Sequence, residues 1–179
     1  LLGGVGDDTL TGGAGADSLV GGEGTDTASY ANAMARVELS LSSGGTSGDA
    51  EGDSYTDIER VLGSAFNDKI TGNASANMIQ GGDGDDELIG GGGSDVMFGG
   101  AGSDILSNSG AGTHLYYGGA DVSPENEIDT VTYEDLQTAV NVSLLSGGTN
   151  GAGGTEKFSG IDNITGSRES DFIEGDGNV

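Results

Sequence analysis

The sequence contains no cysteine, no tryptophan, one proline, one histidine and only five lysine or arginine residues among 179. Without cysteine, neither disulfides nor thiolate metal sites can hold a fold together, so stability must have another source. Set against thirty Asp and Glu, the few cations leave a net charge of −25 at pH 7. Such a chain is repelled by nucleic acid and by anionic membrane surfaces, which excludes both as partners. No run approaches the ~18 apolar residues of a membrane-spanning helix. Hydrophobic residues make up 33% and aromatics 5%, too little for a conventional core. The chain opens and closes partway into a repeat (Leu1-Leu2-Gly3-Gly4 and Gly175-Asp176-Gly177-Asn178-Val179), as a section of something longer does.

Glycine is abundant instead, at 38 residues, and each one raises the entropic cost of folding. An acidic, glycine-rich chain without further order would be disordered. The order comes from a nine-residue repeat: GGVGDDTLT (3–11), GGAGADSLV (12–20) and GGEGTDTAS (21–29) run without a gap. A second block reads GSAFNDKIT (63–71), GNASANMIQ (72–80), GGDGDDELI (81–89), GGGGSDVMF (90–98) and GGAGSDILS (99–107), followed by a degenerate NSGAGTHLY (108–116). The consensus is GGxGxDxUx, with U a large apolar residue.

Its first six residues are turn chemistry, and its last three make a very short strand with one inward side chain. The inward positions are Leu10, Leu19, Ala28, Ile70, Ile79, Leu88, Met97, Leu106 and Leu115. Two nonapeptides complete one coil, so strands alternate between two parallel sheets and a core appears only when coils stack. Stacking also brings Asp8 to Asp26 and Asp86 to Asp104, about one strand spacing (~4.8 Å) apart. Like charges so close repel unless a cation lies between them. Ca²⁺, which takes six to eight oxygens, suits carboxylates supplemented by turn carbonyls; Mg²⁺ demands a tighter octahedron. The candidate metal ligands are Asp8, Asp17, Asp26, Asp68, Asn77, Asp86, Asp95, Asp104, Asp129 and Asp171. Turn carbonyls would come from Gly4, Gly6, Gly13, Gly15, Gly22, Gly24, Gly82, Gly84, Gly91, Gly93, Gly100 and Gly102. Asn77 can offer only an amide oxygen, and Thr113 in the Asp position leaves Asp95 without a facing carboxylate.

A longer repeat overlies the short one. DTASY…VELSLSSGGTSG…DIERVLGSAFNDKITGN recurs as DTVTY…VNVSLLSGGTNG…GIDNITGSRESDFIEGD, with Tyr30 matching Tyr133 and Asp68 matching Asp171 at a constant separation of 103 residues. The organisation is therefore a first nonapeptide block (1–29), widened coils (30–62), a second block (63–116), an irregular repeat with an insertion VSPENEI at 122–128 (117–132), a second copy of the widened coils (133–165) and the start of a third block (166–179). Alternation in Val37-Glu38-Leu39-Ser40-Leu41 predicts a half-buried strand. Residues 44–53 read as a looped-out segment whose Asp49, Glu51 and Asp53 are solvated. The widened coils either continue the solenoid or form a small β-domain that breaks it. No long helix is expected.

This nonapeptide resembles the RTX (repeats-in-toxin) hemolysin-type calcium-binding repeat. The resemblance implies an all-β, calcium-binding parallel β-roll, or β-solenoid, with wider non-repeat coils between nonapeptide blocks. It also implies several Ca²⁺ ions and a secreted bacterial parent exported by a type I system, placing the chain outside the cell, at the cell surface included. Two uses are open: a calcium-triggered structural or adhesive element that associates with itself or with neighbouring repeats, or the folding module of a toxin or hydrolase whose catalytic domain lies elsewhere. No nucleophile elbow, thiol or paired metal-binding histidine suggests an enzyme, and His114 reads as an outward-facing surface residue.

Overall fold

The computed structural model describes residues 1–108, 110–119, 127–151 and 153–177; most of the 122–128 insertion and the last two residues lie outside them. The first block gives β1 (Leu2–Val5), β2 (Thr9–Leu10), β3 (Ser18–Glu23) and β4 (Thr27–Ser29). The widened coils give β5 (Glu38–Ser40), β6 (Gly44–Ser47), β7 (Ser54–Thr56) and β8 (Arg60–Leu62). The second block gives β9 (Lys69–Thr71), β10 (Met78–Asp83), β11 (Glu87–Ile89), β12 (Val96–Ala101), β13 (Ile105–Ser107) and β14 (Thr113–Tyr117). Then come β15 (Thr130–Thr132), β16 (Asn141–Ser143), β17 (Gly147–Thr149), β18 (Thr155–Ser159), β19 (Asn163–Thr165) and β20 (Phe172–Glu174). Among the described residues the sole helical element is a three-residue 3₁₀ turn at Gly48–Ala50.

Apart from β5–β7 and β16–β18, each of which stays on one side, successive strands alternate between two sides, as a two-nonapeptide coil requires. One side is a ten-stranded sheet in the order β2-β4-β8-β10-β12-β14-β18-β17-β16-β20. The other carries β1-β3-β7 and β19-β15-β13-β11-β9-β5-β6. Within the blocks every pairing is parallel: Ile79 stands beside Met97, and Leu88 lies between Ile70 and Leu106. The molecule is a parallel β-roll.

The expected inward positions form the core. Leu19, Ala28, Ile70, Ile79, Leu88, Met97 and Leu106 are fully buried and Leu10 nearly so. Leu115 is the exception. β12 pairs with β14 through Met97 and Tyr116, so Tyr116 is fully buried and Leu115 only half-buried. The half-coil holding residues 108–116 is one residue longer than the nonapeptide, and a one-residue slip turns each strand side chain to the opposite face.

The widened coils continue the roll. β7 adds to β3, and β8 sits between β4 and β10. Residues 44–47 do not loop out: β6 folds back antiparallel on β5. The second copy repeats the hairpin as β16 and β17, but on the opposite side. β5 and β6 belong to the seven-stranded sheet, whereas β16 and β17 lie within the ten-stranded one.

Candidate metal centres

Each GGxGxD turn delivers its Asp to an edge of the roll. The glycines at the second and fourth positions of the turn (4, 6, 13, 15, 22, 24, 82, 84, 91, 93, 100 and 102) all have φ between 82° and 144°, the region that favours glycine. The first glycine serves differently. A Cβ on Gly3, Gly12 or Gly90 would stand 2.7, 2.8 or 2.6 Å from Oδ2 of Asp8, Asp17 or Asp95, so its absence makes room for the carboxylate of the same turn.

The Asp residues then stack as rungs. On the edge that feeds the ten-stranded sheet, the backbone N–H of Asp8 donates to Oδ1 of Asp26 (2.8 Å), that of Asp26 to a Glu59 carboxylate oxygen (2.9 Å), and that of Asn77 to Oδ1 of Asp95 (2.8 Å). On the other edge the N–H groups of Asp17, Asp68, Asp86, Asp104 and Asp129 donate to Asp53, Asp86, Asp104, Asp129 and Asp162 at 2.7 to 2.9 Å. The N–H of Val140 donates to Asp171 at 2.9 Å. The expected pairs Asp8–Asp26 and Asp86–Asp104 are thus neighbours, linked through one oxygen of each upper carboxylate.

The second oxygen separates the rungs into two kinds. Oδ2 of Asp8, Asp26, Asp86 and Asp104 is buried without a hydrogen-bond partner. A bare buried anionic oxygen is costly, and here such oxygens occur in two adjacent pairs, one on each edge. Elsewhere the turn caps its own acid. Ser64, replacing the second glycine, donates its N–H to Oδ2 (2.5 Å) and its hydroxyl to Oδ1 (2.8 Å) of Asp68. Asn73 donates its N–H to Oδ1 of Asn77 (2.8 Å), and the Ser167 hydroxyl donates to Asp171 (2.7 Å). Among the described residues no three His, Cys, Asp or Glu side chains converge. A cation at a bare pair would therefore draw most of its oxygens from backbone carbonyls, which fits Ca²⁺.

Three rung residues escaped the sequence reading: Asp53, Glu59 and Asp162. None follows a GGxG turn, and only the length of the widened coil places them in register. Asp53 is buried rather than solvated; it also accepts from the Tyr30 hydroxyl (2.7 Å), which lies 2.6 Å from the Tyr55 hydroxyl. Its counterpart 103 residues on is Glu156, buried with both oxygens outside ordinary hydrogen-bond geometry. Burial pushes Glu156 up to about 7, although nearby Tyr116, Asn150 and Tyr133 side chains oppose the rise.

His114 is also displaced from its expected place. It is fully buried, and the Asp95 N–H points at its Nδ1 (3.4 Å) from 19 residues away. The longer half-coil puts His114 in the rung, not Thr113. Burial holds its pKa below the usual imidazole value, against the opposing pull of the Gly110 hydrogen bond and the Asp95 charge.

Burial also shifts the bare acids. Asp86 rises to about 8, with the Asp68 N–H opposing and the charges of Asp104, Asp68 and Asp85 reinforcing. Asp104 rises to about 7, with the Asp86 N–H opposing and Asp129, Asp85 and Glu127 reinforcing. A cation bound at either carboxylate would have to displace its proton.

Comparison with known families agrees with this geometry. The profile of the RTX calcium-binding nonapeptide repeat matches in four copies, at residues 1–28, 54–79, 71–106 and 158–178. No curated protein matches the chain. The matches take in both bare pairs, Asp8–Asp26 and Asp86–Asp104, and span more than half the sequence; the chain belongs to the family of RTX calcium-binding repeats.

Proposed function

We propose that this chain is a calcium-triggered folding module of a secreted bacterial protein, serving a structural or adhesive role rather than catalysis. The observation that carries the reading is the pairing of bare, buried Oδ2 atoms at Asp8–Asp26 and Asp86–Asp104. These carboxylates are the principal ligands, completed by carbonyls of the glycine turns. Asp17 and Asp129 are further ligands on the second edge; Asp68, Asn77 and Asp171, capped by their own turns, are weaker ones. Where calcium is scarce, the net charge of −25 keeps the chain open. At millimolar calcium each filled site adds RT ln(1 + [L]/Kd), about 1–2 kcal/mol for extracellular-type affinities. Because coils contact only their neighbours, the sites fold the roll together.

Far-ultraviolet circular dichroism of the chain in EGTA and in millimolar calcium tests this reading. A coil spectrum that becomes β-rich on adding calcium supports it; a β-rich spectrum that EGTA leaves unchanged sinks it. The 103-residue duplication favours an extended repetitive surface protein over a single folding tail attached to an enzyme. Light scattering in calcium that rises with concentration supports self-association, and a strict monomer counts against it.

A further inference from the structure

Calcium does not fit every rung. On the first edge, Asn77, Asp95 and His114 are consecutive rungs, and donors from the chain itself occupy their acceptors. The Asn77 N–H donates to Oδ1 of Asp95 (2.8 Å), and Nδ2 of Asn108 lies 2.5 Å from Oδ2 of the same carboxylate. The same Nδ2 lies 2.8 Å from Nδ1 of His114. Its two hydrogens thus bridge two acceptors that approach to 3.7 Å. For Nδ1 to accept, the ring proton must reside on Nε2, which donates to the Gly110 carbonyl at 3.2 Å. Asp95 and His114 are 0% exposed and Asn77 and Asn108 3%, so water does not compete.

We infer that Asn108 and His114 form a metal-independent clasp on Asp95, occupying the place that an ion takes at Asp86–Asp104, so that in the folded roll this rung closes with no ion of its own. The inference rests on reading Asp86–Asp104 as an ion site. Both rungs contain a buried Asp whose N–H donors and register are alike; they differ in what meets Oδ2. At Asp86 and Asp104 it is bare; at Asp95 an amide saturates it. The extra residue in the half-coil, 19 instead of 18 between rungs, is what lets an imidazole ring stand where a shorter carboxylate stands elsewhere. A second carboxylate there would face Asp95 with no cation and no spare donor.

Bound calcium per chain, measured by equilibrium dialysis with emission spectrometry, tests the clasp on the full chain. Asp95→Asn is expected to keep the wild-type count, and loss of an ion overturns the inference. Asp104→Asn, in parallel, is expected to lose at least one ion; if it loses none, the placement of calcium at Asp86–Asp104 fails, while Asp95→Asn still judges the clasp. Two readouts hold even if Asp95→Asn does not fold. In the unaltered chain, the nitrogen spectrum of the single imidazole is expected to show the Nε2–H tautomer and no coupling to ¹¹³Cd substituted for calcium; the other tautomer, or a coupling, overturns the clasp. Asn108→Ala is expected to lower the thermal midpoint in saturating calcium by at least ~4 °C with the ion count unchanged, and an unchanged midpoint overturns it.

Discussion

The backbone N–H of Asp86 donates to Oδ1 of Asp104 at 2.8 Å, while Oδ2 of both residues is buried and bare. One oxygen of each carboxylate ties its coil to the one before, and the other is the oxygen we propose for the cation. Asp104→Asn keeps an Oδ1 for the Asp86 N–H and removes the charge. Its calcium affinity is expected to fall about tenfold or more, about 1.4 kcal/mol, in a titration followed by circular dichroism. Asp68→Asn, where Ser64 already caps the acid, is expected to shift the same titration much less.

Acid should substitute in part for calcium. The folded, metal-free pKa values of about 8 for Asp86 and about 7 for Asp104 lie above the ordinary 3.8. The folded chain therefore binds more protons than the unfolded one between these limits. Stability from this pair is fully present below pH ~4 and is lost as pH rises through about 7 to 8. The two groups interact, so they titrate as a pair. In EGTA the small β-rich fraction seen by circular dichroism is expected to be larger at pH 5 than at pH 8. Calcium affinity should rise over that range, with proton release visible by calorimetry in buffers of different ionisation enthalpy.

Glu156 adds a second pH dependence with the same sign. Burial raises it from 4.5 to about 7, so its favourable contribution is lost as pH rises through that window. Glu156→Gln keeps an acceptor without the charge. Its thermal midpoint is expected to change less between pH 5 and 8 than that of the wild type, and to be higher at pH 8.

Two glycines of nearly equal φ should differ sharply when replaced by alanine. Gly4 has φ 116° and Gly22 φ 114°. Nothing lies within 4 Å of a Cβ on Gly4, whereas one on Gly22 would strike the Gly4 carbonyl of the preceding coil. Gly4→Ala is expected to cost only the backbone strain, about 1–2 kcal/mol. Gly22→Ala must also separate two coils, and its calcium-saturated urea midpoint should drop well below that of Gly4→Ala.

The roll and the two bare pairs were legible in the sequence because GGxGxD at a nine-residue step encodes turn, strand and edge together. Eight of the nine inward residues followed from it; Leu115 did not, because a single extra residue in 108–116 shifts the register and no nonapeptide pattern marks where it enters. Asp53, Glu59 and Asp162 were hidden for a related reason. A rung needs only an acceptor for the N–H of the coil before it, and a carboxylate from a coil of any length can provide one. Side-chain capping by Ser64 and Ser167 was equally hidden: the second glycine read as a conformational requirement, and the serine in its place proved to supply a hydroxyl donor.

The two hairpins balance the strand count of the roll's two sides. Each inserts two extra strands on one side only, about 10 Å of added length at ordinary strand spacing, and alone would bend the axis away from that side. Because β5–β6 and β16–β17 fall on opposite sides, the three- and seven-stranded sheets together carry as many strands as the ten-stranded sheet facing them. Each copy of the long repeat is thus a wedge, and two copies on opposite sides leave the strand count of the two sides balanced.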